Sequence, residues 1–111
     1  MATQESTGTQ SATVTTEHTL ATVTSTKTLQ LYVNISNLAA GEYVRLRSKR
    51  KLLTADSGQS IRFTEIYSWL DALVTPIVAM PPLLNGPGSA VFTLTQLNGT
   101  GRSFKWAVES A

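Results

Sequence analysis

The chain has no cysteine, a single histidine and few charges. Each shortage closes off a kind of chemistry. Without cysteine there is no disulfide framework, no thiolate nucleophile and no cysteine metal site. With His18 the only histidine, the usual donor sets for zinc or another transition metal cannot be assembled, and no cofactor is expected. No apolar run reaches the roughly 18 consecutive residues of a membrane span, so no membrane role is expected. The N-terminal MATQESTGTQ carries neither a basic region nor an apolar stretch, so it does not read as a signal peptide. The lack of cysteine suits folding in a reducing cytoplasm. Charged residues make up 14% of the chain, and Thr, Ser, Asn and Gln supply the rest of the polar surface. That composition suits either a subunit of an assembly or a domain that relies on a neutral polar surface.

What charge there is lies unevenly. Arg45, Arg47, Lys49, Arg50 and Lys51 put +5 within seven residues, whereas the whole chain carries +2. The basic character is therefore local. At 111 residues the chain is long enough for one domain with one ordinary hydrophobic core.

Period-two alternation runs through most of the sequence. Leu29, Leu31, Val33 and Ile35 alternate with Gln30, Tyr32 and Asn34, a half-buried strand. Val44, Leu46 and Ser48 alternate with Tyr43, Arg45, Arg47, Lys49 and Lys51. At about 3.4 Å per residue the four cations form a row roughly 20 Å long. Leu20 and Val23 are three residues apart, which predicts a bulged strand over 18–24. Residues 61–73 read as a strand with a bulge or edge excursion. A short helix over 67–73 is the alternative, since Ile66, Leu70 and Leu73 fall at helical spacing. A helical turn is conceivable in 36–41. Pro81, Pro82 and Pro87 confine residues 77–88 to a loop or an edge strand. Residues 54–60 and 85–88 read as turns.

The most regular stretch is residues 89–108. Phe92 and Leu94 share one face of its first arm, and Phe104, Trp106 and Val108 one face of its second. Asn98-Gly99-Thr100-Gly101 between them predicts a β-hairpin, its glycines at the reversal. About eight short strands separated by frequent turns predict an all-β, single-domain β-sandwich or small barrel of jelly-roll or immunoglobulin-like type. The polar residues 1–16 read as a flexible or extended N-terminal arm, with an edge strand as the alternative over 9–16, and 17–111 as the sandwich domain.

Catalytic patterns are sparse. His18 with Asp56 or Asp71 and a serine makes a triad only on paper, because no nucleophile elbow is present. The seven carboxylates are scattered. Gly99-Thr100-Gly101 lacks the lysine and helix of a phosphate loop. The sequons at Asn34 and Asn98 carry no weight without a secretory signal. Glu17-His18 reads as a turn whose side chains bond the backbone. An enzyme is not expected. The basic row has three readings: docking on an acidic protein surface, phosphate neutralisation with Tyr43 or Tyr32 stacking on bases, or a solvated, edge-protecting strand.

Three stretches carry a family resemblance. They are TQSATVTTEHTLATVT (residues 9–24), LQLYVNISNLAAGEYVRLRSKRKLL (29–53) and TLTQLNGTGRSFKWAV (93–108). Together they resemble a family of small virion structural proteins of tailed phages and prophages. The Gly99-Thr-Gly-Arg-x-Phe-x-Trp106 segment is the most specific. Glu42 stands where the pattern favours Asp, and Leu97-Asn98 where Thr is usual; residues 68–88 fall outside the resemblance. It implies a virion component rather than an enzyme, without saying where in the virion; for a domain of this size the favoured reading is a capsid decoration or cement protein, made in the host cytoplasm and placed on the capsid surface. The implied partner is the major capsid protein, with self-association as a dimer or trimer. Arg45, Arg47, Lys49, Lys51 and Arg102 are the candidate docking residues, and residues 1–16 a candidate bridging arm. Alternatives are a neck, tail or fibre-attachment role, or a nucleic-acid-binding β-barrel, nucleic acid being the less expected partner.

Overall fold

A computed structural model describes residues 3–24, 27–51, 61–84 and 89–110. The expected turns at 54–60 and 85–88 lie outside these residues. The chain is an all-β sandwich of two antiparallel sheets with one short helix. Its strands are β1 (Thr3–Ser11), β2 (His18–Val23), β3 (Thr28–Asn34), β4 (Tyr43–Arg50), β5 (Ile61–Ser68), β6 (Ile77–Ala79), β7 (Leu83–Leu84), β8 (Ala90–Gln96) and β9 (Ser103–Ser110); α1 (Trp69–Val74) follows β5. The first sheet has the order β1-β9-β3-β6, with β7 also on β3, and the second β2-β8-β4-β5.

The core lies between the sheets and follows from the alternation. Leu29, Leu31 and Val33 of β3 and Phe104 and Val108 of β9 face Val44 and Leu46 of β4 and Phe92 and Leu94 of β8, all of them fully buried. The bulge predicted around Leu20 is present: the pairing of β2 with β8 shifts register between Thr19 and Ala21.

The expected hairpin is not one. β8 pairs with β2 and β4, whereas β9 pairs with β1 and β3. The two arms lie in opposite sheets, so residues 97–102 form an arch across the end of the sandwich. Phe92 and Leu94 therefore face Phe104 and Val108 across the core. The arch is built on Gln96, whose side chain is fully buried. Its Nε2 donates to the carbonyls of Asn98 (2.9 Å) and Thr100 (2.6 Å), and its Oε1 accepts from the Arg102 N–H (2.8 Å). These bonds satisfy backbone groups that a hairpin would have turned toward the other arm.

Three further segments differ from the sequence reading. Thr3–Ser11, within the expected arm, is the edge strand β1, paired along its length with β9. Gly8 lies directly on the Trp106 ring: a Cβ there would come within 2.9 Å of Cζ2. The second half of the 61–73 segment is helical. Ser68 is the N-cap of α1, and its Oγ accepts from Leu70 N–H while the Asp71 carboxylate accepts from Ser68 N–H at 2.7 Å. This capping box satisfies the first-turn donors, which tips the segment from strand to helix. Residues 36–41 hold two tight turns rather than a helical turn, closed by Leu38 N–H to Ile35 O and Glu42 N–H to Ala39 O.

Candidate docking surface

The outer face of the β2-β8-β4-β5 sheet carries the basic row. Val44, Leu46 and Ser48 point into the core, so Tyr43, Arg45, Arg47 and Lys49 of β4 point outward. On β8 the outward residues opposite them are Thr95, Thr93 and Val91. Thr93 and Thr95 are 3% and 2% exposed although they lie on the exterior of the sheet. Arg45 and Arg47 are their direct cross-strand neighbours. The Nε atoms of Arg45 and Arg47 are buried and have no acceptor among the described residues.

One carboxylate answers this row. Glu17, just before β2, accepts from Thr93 Oγ1 at 2.6 Å and lies 3.2 Å from Lys49 Nζ and 3.4 Å from Arg47 Nη1. The Thr93 hydroxyl, then Lys49 and Arg47, lower the Glu17 carboxyl below its ordinary value against the opposing effect of burial. Glu17 thus bonds side chains rather than the backbone, as its turn reading had it. Its neighbour His18 does bond the backbone: Nε2 accepts from the Thr13 N–H at 2.9 Å. Three cations against one carboxylate leave the face positive. Lys51 follows β4 and is half-buried.

Apolar side chains border the row. Ile66 of β5 pairs with Arg45 and is 58% exposed. Tyr43, at the start of the row, and Leu70, on α1, are also exposed. Leu73 and Val74 continue the exposed surface of α1, whose Trp69 and Ala72 pack against the core. The helical spacing of Leu70 and Leu73, which in the sequence suggests a buried stripe, instead marks exposed surface.

Arg102 stands apart from the row. It holds Glu42 at the arch, where Nε donates to Oε1 and Nη2 to Oε2. The same carboxylate accepts from the Ala39 N–H at 2.8 Å and the Thr100 N–H at 3.0 Å. These four donors lower the Glu42 carboxyl from its ordinary 4.5 to about 2, Arg102 contributing most. Arg102 is thus the turn brace of the arch. By fixing residues 39–43, the clasp also sets where Tyr43 begins the basic row: Tyr43 N–H donates to Asn98 Oδ1 at 2.9 Å, and Leu97 N–H to Tyr43 O.

The opposite sheet has a shallow depression of about 360 Å³ between Tyr32, Asn34, Ile77, Lys105 and Glu109. Its exposed lining is mainly apolar. Among the described residues no cluster of three metal-ligating side chains occurs. Asp71 caps α1, and Asp56 lies outside the described residues. No family model, curated protein or solved structure matches this chain.

Proposed function

We propose that this chain is a non-enzymatic structural protein of a virion, a capsid decoration or cement protein. It docks through the outer face of the β2-β8-β4-β5 sheet onto the lattice of the major capsid protein. One observation carries the docking reading: Arg45, Arg47 and Lys49 lie in a row with Glu17 as their only carboxylate partner among the described residues, beside exposed Tyr43, Ile66 and Leu70. An apolar patch flanked by guanidinium groups fits a protein surface with an apolar pocket and a carboxylate rim. The virion setting rests on the resemblance of residues 9–24, 29–53 and 93–108 to small phage structural proteins. Many copies on a lattice add small interfaces into shell stability.

The test is reconstitution. Purified protein is added to shells that lack it, and occupancy is counted in a density map. Full occupancy is expected for the wild type, and at least about a 10-fold weaker association for Arg45→Glu with Lys49→Glu. Wild-type occupancy by that double variant would overturn the docking face. Duplex-DNA binding that falls steeply with salt, without shell binding, would favour a nucleic-acid role instead.

A further inference from the structure

The free edge of β1 is the least protected sheet edge among the described residues. Natural sheets blunt their edges with lysine, proline, bulges, short strands or inward-pointing charges. The other edges of this sandwich use these devices. β2 has six residues and a bulge around Leu20. β6 and β7 have three and two residues and are separated by Pro81 and Pro82. β5 places Glu65 opposite the buried Leu46, an inward-pointing charge at the edge. β1 has nine residues, Thr-Gln-Glu-Ser-Thr-Gly-Thr-Gln-Ser, with neither lysine nor proline. Its single bulge falls between Gln4 and Ser6, toward one end. Its single charge, Glu5, accepts from Ser110 Oγ of its own subunit at 3.0 Å.

The sequence of β1 is also self-complementary. Turned antiparallel about Thr7, the strand sets Thr7 against Thr7 and Ser6 against Gly8 on either side of it. These three central pairs bring only small, uncharged residues together, and Glu5, the bulged residue, lies beyond them. Pairing of β1 with β9 holds the strand in place before any partner arrives, so little further ordering is needed.

We propose that β1 is a dimerisation edge, pairing antiparallel with β1 of a second copy of this chain about a two-fold axis at Thr7. The contact is isologous and closed, so it yields dimers rather than open chains. Main-chain hydrogen bonds supply the affinity, as in other cases of strand addition. The two sheets of this type then run as one through the dimer, and both basic faces remain free.

The absence of cysteine makes the test clean, because a single introduced thiol can cross-link only to its own counterpart. In the proposed register the two copies of residue 7 sit about 4.5 to 5.5 Å apart at Cα, inside disulfide range. The two copies of residue 10 sit six residues out of step, about 20 Å apart. Sedimentation of the full chain is expected to give a dimer. Under mild oxidation Thr7→Cys is expected to form a covalent dimer, and Gln10→Cys none. Thr7→Lys sets like charges opposite each other and is expected to weaken the dimer about 5-fold. An equimolar mixture of Thr7→Lys and Thr7→Glu should recover it. Circular dichroism of each variant checks that the fold is intact. A wild-type chain that stays monomeric at every concentration overturns the proposal. So does a dimer that Thr7→Cys fails to cross-link, or one that Gln10→Cys cross-links equally well.

Discussion

Arg102 and Glu42, sixty residues apart in sequence, meet in a two-point contact, Nε to Oε1 at 3.0 Å and Nη2 to Oε2 at 3.1 Å. Glu42 is 5% exposed, and its two oxygens also receive the N–H groups of Ala39 and Thr100. The pair ties the turn before β4 to the arch between β8 and β9. It therefore links the two sheets at one end of the sandwich.

Removing both partners should cost less than the two single losses added together. Arg102→Met leaves the Glu42 carboxylate without its counter-charge and is expected to lower the unfolding free energy. Glu42→Gln leaves the guanidinium at the surface, where water serves it, and should cost about 2 kcal/mol. The double variant should cost less than the sum, because it removes the stranded charge. Urea unfolding of the four proteins measures the coupling, and strict additivity would show that the two residues do not act as a pair.

Acid should weaken the same clasp. The Glu42 carboxyl is lowered from its ordinary 4.5 to about 2 in the folded chain. A carboxyl lowered on folding contributes stability that is present above its unfolded value and lost as pH falls through its folded value. Stability should therefore decline as pH drops from about 4.5 toward 2. Glu17, also lowered, adds to the decline with the same sign. Glu42→Gln should flatten this part of the pH profile in chemical denaturation; an unchanged slope would remove Glu42 as its main source.

Two glycines with nearly the same backbone should differ in what they tolerate. Gly41 has φ +83° and open space where a methyl would stand, whereas Gly99 has φ +80° and would drive a methyl into the Glu42 side chain. Gly41→Ala should cost about 1 kcal/mol, the conformational term alone. Gly99→Ala should cost that plus displacement of the clasp, about 3 kcal/mol in all. Equal losses by thermal unfolding would mean that Glu42 does not pack under Gly99.

Helix α1 has six residues and depends on its start. Ser68→Ala removes the Oγ that accepts from Leu70 N–H, and is expected to cost about 1 kcal/mol. Ser68→Asp should retain the cap and most of the stability. Amide exchange at Leu70 reads the change locally, and protection equal to wild type in Ser68→Ala would contradict the capping box.

Much of this architecture is legible in single strands. The alternation in Leu29-Gln-Leu-Tyr-Val-Asn-Ile35 names the buried face of β3 without fault, and that in β4 turns Arg45, Arg47 and Lys49 outward as observed. The capping box was legible too, as Ser68 three residues before Asp71, but aromatic and β-branched residues in 61–67 argue for strand up to that cap. Glu17 was not legible as the counter-charge of the basic row. It reaches Lys49 only because β2 and β4 flank β8 in one sheet, an adjacency that no local pattern encodes.

Alternation marks β3, β4, β8 and β9 as extended and names the buried face of each, and composition shows where positive charge gathers. These follow from period-two patterning and composition, which are local. Which strands are neighbours is a property of the assembled fold. Residues 90–96 and 103–110 have the alternation and glycine-rich connection of a hairpin, yet they belong to opposite sheets. Alternation tells a side chain to seek a core but does not say whether the facing residue comes from the next strand or from across the sandwich. Here buried Gln96 and the Arg102–Glu42 pair close the arch, and they can do so only once β4 has been brought beside β8.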